Sequence, residues 1–208
     1  MNNIAAEVAK RLLQIKAIKL SPQSPFTWAS GILSPIYCDN RIILSHPEAR
    51  SFVKNAFADC AQKFPTFDKI AGVATAGIPH GALLADVLDM PFIYVRDKAK
   101  AHGRQNQIEG ALNKGEKVLV IEDLISTGGS SLKAIDALVN AGAEVVGIAA
   151  IFTYGFDKAK NAFDKAGYQL ETLSNYDILI NEALKTNFIQ ASDVQLLKNW
   201  RQKVNSKG

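Results

Sequence analysis

The residues best suited to chemistry lie within KVLVIEDLISTGGS, residues 117–130. Val118, Leu119, Val120 and Ile121 form an apolar, β-prone run that ends in two adjacent carboxylates, Glu122 and Asp123. Small hydroxyl and glycine residues follow from Ser126 to Ser131, and then an amphipathic stretch. A turn of that composition, opening a helix at the end of a buried strand, gathers backbone N–H groups and the positive end of the helix dipole into an anion site. The two acids beside it cannot bind the anion; they suit hydroxyls, a metal or a positive charge. A sugar phosphate satisfies both halves.

Two further loops could contribute. ATAGIPHG (74–81) sets small residues and two glycines after a strand, and positive φ at Gly77 would let the backbone approach an anion. RDKAKAHGRQNQIEG (96–110) carries Arg96, Lys98, Lys100, His102 and Arg104 at alternate positions. Alternation in an extended segment places all five on one side, where they could meet a departing polyanion. His46 and His80 read as structural or surface residues, and Cys38 as an inert thiol.

The elements that must position these loops follow from hydrophobic period. Helices are expected over 3–18, with Ile4, Val8, Leu12 and Ile15 on one face, and from a Ser45-x-x-Glu48 capping box with Pro47 in the first turn. The second helix aligns Phe52, Ala56, Cys60 and Phe64. Beyond it, strands at 69–74, 92–95, 118–121 and 145–152 alternate with helices near 79–89, 129–141 and 157–166. Leu132, Ile135, Leu138 and Val139 are expected to face inward, and weaker helical patterns occupy 176–185 and 191–204. Near-continuous apolar strands separated by helices indicate a doubly wound, mainly parallel α/β sheet covered on both faces. Residues 1–45 form an N-terminal helix and hood, and 46–208 the core. Ligands of such sheets bind outside the carboxyl ends of the strands, where loops 74–81, 96–110 and 122–131 meet.

Bulk properties narrow the class. The chain has 208 residues, 48% of them hydrophobic, enough for one full core. No apolar run approaches the ~20 residues of a membrane span. The N-terminus lacks the pattern of a secretory signal, and the two cysteines, Cys38 and Cys60, lack metal-ligand spacing, so a cytoplasmic protein with reduced thiols is expected. The net charge of +4 is dispersed, with local enrichment only in 198–208, which argues against a nucleic-acid surface. Neither a Walker A loop nor a Rossmann glycine fingerprint occurs.

VLVIEDLISTGGS resembles the diphosphoribose-binding signature of the type I phosphoribosyltransferases along its full length. The resemblance implies that Ser126, Thr127, Gly128, Gly129 and Ser130, with Leu124 and Ile125 leading in, bind 5-phosphoribosyl 1-diphosphate (PRPP), while Glu122 and Asp123 face the ribose hydroxyls. It also implies Mg²⁺ held mainly by the diphosphate and reaching the acids through water. FTWASGILSPIYCDNR (26–41) resembles the base-binding hood of the orotate phosphoribosyltransferase family, and so do Lys-x-His-Gly (100–103), VATAGIPHGALLA and AAIFTYGF. By that resemblance Arg96, Lys100 and His102 contact the diphosphate, Ser126 with Tyr37 and Cys38 edges orotate, and Lys100, His102 and Asp123 are catalytic. The loop 97–110 would be mobile and shared across a homodimer. Some family members carry cations where this chain has Ala29, Ala76, Asp97 and Tyr154, which leaves Arg41 or backbone donors to meet the orotate carboxylate. A purine or uracil phosphoribosyltransferase would lack the hood and the Lys-x-His-Gly loop. A PRPP-sensing regulator would need a nucleic-acid-reading element, and the chain shows no such pattern.

Overall fold

The computed structural model describes residues 4–28, 31–97 and 107–206. In chain order, helix α1 (Ile4–Gln14) leads to strands β1 (Ile18–Leu20), β2 (Phe26–Thr27), β3 (Leu33–Ser34) and β4 (Ile36–Cys38), then a 3₁₀ turn (Asn40–Ser45) and α2 (Pro47–Ala61). The core continues through β5 (Lys69–Val73), α3 (Gly77–Leu88), β6 (Phe92–Val95), β7 (Ile108–Glu109), β8 (Lys117–Ile125) and α4 (Gly129–Asn140). It closes with β9 (Glu144–Thr153), α5 (Asp157–Ala166), β10 (Leu170–Asn175), α6 (Tyr176–Lys185) and α7 (Ala191–Asn205).

Six strands form one sheet in the order β10-β9-β8-β5-β6-β7, parallel throughout except for β7, which runs antiparallel to β6. The chain leaves β5 toward β6 on one side and returns to β8 on the other. The order therefore reverses between β5 and β8, and a crevice must open there beyond the strand ends. Successive residues of β8 serve opposite cores: Leu119 and Ile121 face the core shared with α1, α2 and α6, while Val118 and Val120 face the one shared with α4 and α5. A strand buried on both faces is why this segment reads as an uninterrupted apolar run. The hood consists of two small antiparallel pairs, β1 with β4 and β2 with β3.

Several expectations need correction. The first helix stops at Gln14 because Lys16 adopts φ 59°, after which Ile18 enters β1. Ser45 ends the 3₁₀ turn and cannot cap α2; His46 takes the cap position with no side-chain bond, though Pro47 does open the helix. Val139 is 43% exposed, and Ala134 faces inward with Ile135 and Leu138 instead. The expected strand at 118–121 runs on to Ile125, so both acids lie within it. Strand β10 was not anticipated, being a half-covered edge with little apolar contrast.

At the amino end of the sheet, Lys69 is buried with its Nζ 2.7 Å from Glu116 Oε2 and 2.6 Å from the Ala111 carbonyl. Glu116 also accepts from the backbone and side chain of Asn113, and these bonds hold its carboxyl down at about 2. This knot closes the sheet at the end away from the crevice.

His80 lies on the inner face of α3, 2% exposed, and its Nε2 has no partner among the described residues. Burial lowers its pKa from 6.5 to about 4. The neutral imidazole is thus favoured in the folded chain, and its contribution is fully present above pH 6.5 and lost as the pH falls through 4. Relative to a His80→Leu variant, the native protein should lose on the order of 3 kcal/mol of unfolding free energy over that interval. Urea titrations at several pH values check this; parallel stability curves for the two proteins would refute it.

Candidate active site

The site grows from the last third of β8. Glu122 is 6% exposed, and its carboxylate accepts the Asp123 backbone N–H at 2.9 Å and the Ser131 hydroxyl at 3.3 Å. Asp123 is half-buried, and its carbonyl accepts Asn40 Nδ2 at 2.7 Å, which ties the hood to the strand. Burial and the neighbouring Asp123 charge push the Glu122 carboxyl well above the usual range; burial raises Asp123 as well. Two such acids favour a partner that brings positive charge or hydroxyl donors.

Beyond them the chain turns through Ser126, Thr127 and Gly128 into α4. Gly128 has φ 80°, and a Cβ there would meet the Phe163 ring at 2.8 Å, so both backbone and packing call for glycine. The first helical bond runs from the Leu132 N–H to the Gly128 carbonyl. The N–H groups of Gly129, Ser130 and Ser131 precede it, at the positive end of the helix, in the arrangement that holds anions.

A cleft of about 330 Å³ opens at the switch point, lined by Cys38, Asp39, Arg41, Ala74, Thr75, Ala76, Glu122, Asp123, Leu124 and Ser130. Three loops thus converge: the hood after β4, the turn after β5 and the end of β8. Gly77 makes the convergence possible by close approach, since a Cβ would lie 2.5 Å from the Ile121 carbonyl oxygen. The expected positive φ at Gly77 does not occur; Gly77 is absent from the positive-φ glycines and opens α3. Arg41 pairs with Asp39 through Nε at 2.6 Å and Nη2 at 2.9 Å, which holds the Asp39 carboxyl below its ordinary value. Burial, together with Asp123 and Asp39, pushes the Cys38 thiol well up, in keeping with an inert sulfur.

The structure brings together Cys38, Arg41, Glu122, Asp123, Leu124 and Ser130. Tyr37 stands beside this group, 40% exposed, with its ring against Phe26 at 5.9 Å. Ile125 turns its side chain inward, and its carbonyl accepts the Thr153 hydroxyl and the Tyr154 N–H. Ser126 is half-buried, while Thr127 borders a separate cavity of about 600 Å³ toward α7. Arg96 follows β6, near Glu109 at 3.5 Å, and its backbone N–H bonds to Gln107. Lys98, Lys100, His102, Arg104 and Ala29 lie outside the described residues. Tyr154 is buried among Trp28, Phe152, Phe156 and Trp200. Sequence reasoning missed Asp39 and Asn40; the polar triplet Asp39–Asn40–Arg41 directly after an apolar strand was the available signal.

Among the described residues no group of three or more His, Cys, Asp or Glu side chains could hold a metal ion. Both Glu122 oxygens are engaged within the protein, leaving Asp123 as the acid of the pair best placed to meet a cation that arrives with a ligand.

The phosphoribosyl transferase domain family matches residues 40–187, which span the sheet and the turn described above. The chain belongs to that family and, within it, to the orotate phosphoribosyltransferases. It is 58% identical over 200 residues to the orotate phosphoribosyltransferase of Listeria monocytogenes, covering 96% of each chain. The orotate phosphoribosyltransferase of Aeropyrum pernix superposes with a TM-score of 0.76 at 28% identity, over 88% of this chain and 99% of that one. Leishmania donovani UMP synthase gives a TM-score of 0.82 at 32% identity, over 96% of this chain but 42% of that one.

Because burial disfavours the charged form of Asp123, the neutral isostere should fold as well as the native residue. Asp123→Asn is expected to leave the thermal midpoint at pH 7 within about 3 °C of the native value, or to raise it. A fall of roughly 8 °C or more would assign the carboxylate to the fold rather than to a ligand.

Proposed function

We infer that the chain performs the reaction for which its family is named: transfer of the 5-phosphoribosyl group from PRPP to N1 of orotate, giving orotidine 5′-monophosphate and diphosphate in pyrimidine biosynthesis. The single observation that carries this reading is the convergence, at one switch-point crevice, of the adjacent acids Glu122 and Asp123 with the N-terminus of α4. A sugar phosphate needs both, and the match to orotate phosphoribosyltransferases supplies the base.

The residues take the following roles. The N–H groups at 129–131 and the hydroxyls of Ser126, Thr127 and Ser130 receive the 5-phosphate. Asp123, with Glu122 behind it, accepts from the ribose hydroxyls. Such contacts fix the sugar so that C1 faces the base in line with the departing diphosphate. Arg96, Lys100 and His102 place positive charge and donors on that diphosphate as its charge develops. Lys100 and His102 act on the crevice of a neighbouring subunit in a homodimer, and residues 1–45 supply the hood over the base. The family generally uses Mg²⁺; arriving with PRPP it would supply positive charge to the diphosphate, and Asp123, which lines the cleft, would be the residue to meet it. Excluding water matters because hydrolysis competes with transfer at an oxocarbenium-like centre. No helix among the described residues is long and apolar enough to cross a membrane, and a cytoplasmic setting suits the reduced thiols.

Arg41 takes the orotate carboxylate. It lines the cleft beside Cys38, and its side chain is 64% exposed even while paired with Asp39. Arg41→Ala should raise the orotate KM by about tenfold, the scale of a lost charged hydrogen bond, with the PRPP KM little changed. An orotate KM at the native value would reject this assignment. Lys100→Ala should lower kcat by roughly 10²–10³-fold and affect PRPP binding less, as for one lost charge-stabilising donor. A drop under about threefold would be too small for that role. The function as a whole is tested by the ultraviolet change on adding Mg²⁺ and PRPP with orotate, beside uracil, hypoxanthine and adenine. Turnover of another base without orotate would overturn it.

A further inference from the structure

Trp200 lies on the last helix, has been given no role in the reaction, and is bonded to the hood. Its indole N–H donates to the Leu33 carbonyl at 3.0 Å. The hairpin that receives this bond has two residues in each strand, Phe26 facing Ser34 and Thr27 facing Leu33, too few to hold a shape unaided. Leu33 is 63% exposed, so side-chain burial does not fix it either.

The anchoring end is firm. On α7, Leu197 is fully buried and its carbonyl accepts the Tyr176 hydroxyl at 3.1 Å. Arg201 makes a two-pronged pair with Asp177 at 2.7 and 2.8 Å and lies over the Tyr176 ring. Gln23 in the hood adds a second bond to α7, its Nε2 donating to Asp193 at 3.1 Å.

Trp200 also stands where the hood meets the phosphate turn. Its ring meets Trp28 edge-on at 5.8 Å and Phe156 at 5.9 Å. Trp28 in turn donates its indole N–H to the Ile36 carbonyl at 3.0 Å, at the head of the strand that delivers Cys38 to the cleft. Tyr154, packed against Trp28 at 5.2 Å, bonds through its N–H to the Ile125 carbonyl, the last strand residue before the turn. The indole of Trp200 is thus the point from which the core can set the height of the hood over the base.

We propose that Trp200 is a positioning residue for orotate: through Leu33 and Trp28 it fixes the base-binding edge relative to the phosphate turn while touching neither substrate. The inference rests on the orotate reading above. It is tested with Trp200→Phe, which keeps an aromatic ring and removes the donor. Native enzyme is assayed alongside, so failure of the orotate reading shows in the native protein and failure of the positioning role only in the variant. The orotate KM should rise about three- to tenfold, the equivalent of one neutral hydrogen bond, with kcat and the PRPP KM within about twofold of native. A purely structural tryptophan would lower the thermal midpoint and leave the orotate KM alone, and that result overturns the proposal. So does a parallel change in both KM values. Should Trp200→Phe not fold, Gln23→Ala removes the other bond between hood and α7 found among the described residues, at the surface. A rise of about twofold or more in orotate KM then supports the proposal, and an unchanged KM overturns it.

Discussion

Two adjacent carboxylates near the end of the central strand, one buried and one half-buried, set the terms for the structure around them. An isolated buried acid is costly, and two neighbours that repel each other are costlier. The surrounding elements are arranged to bear that cost. Ser131 brings the first turn of α4 to Glu122, the Asp123 backbone N–H turns back on the same carboxylate, and Asn40 fastens the hood to the Asp123 carbonyl. What remains unsatisfied is the electrostatic demand of the pair, which suits a partner bearing hydroxyl donors or positive charge. The anion turn that follows would serve any phosphate-bearing ligand; the acids beside it suit one that also carries hydroxyls or a cation.

Bringing the acids to a ligand requires the helix after β5 to press against β8. At Gly77 there is no room for a methyl group beside the Ile121 carbonyl, and at Gly72 none beside the backbone of Ile78. This close strand-to-helix packing draws residues 74–76 to the same crevice as residues 122–124. The opposite end of the sheet is closed by a buried ion pair, Lys69 with Glu116, whose remaining capacity is met by the Ala111 carbonyl and Asn113. The Lys69–Glu116 pair thus has its partners within the protein at one end of the sheet, while Asp123 and Arg41 line an open cleft at the other.

Much of this was legible in the residues. FIYV at 92–95, DKAKNAFDKA at 157–166 and YDILINEALK at 176–185 have the observed bounds, because period and flanking residues agree with the tertiary setting. Glu122 and Asp123 were found as a pair, but charges look like the end of an apolar strand, and only the pairing of Glu122 with Ala150 and Leu124 with Phe152 reveals that the strand continues through them. Ser45 matched a capping pattern that the preceding 3₁₀ turn made unusable. The sequence suggests Gly77 for its access to positive φ, whereas the structure requires it for a contact with a strand over forty residues away, invisible to local inspection. Asn40 and Trp200 act through single long-range bonds to backbone carbonyls, and no spacing rule encodes those.

The hood is the least self-sufficient part of the chain: small antiparallel pairs, an exposed Leu33 and a few bonds to the core. Aromatic rings compensate: Trp200 meets Trp28 and Phe156 edge to face, and Tyr154 stacks on Phe156 and lies tilted against Trp28. Trp28 and Trp200 are also the only two tryptophans in the chain, and they touch each other. The indole emission of the protein therefore originates entirely from the seam between hood and last helix. The molecule carries its own optical gauge of that seam, readable without a label and silent about the remainder of the fold.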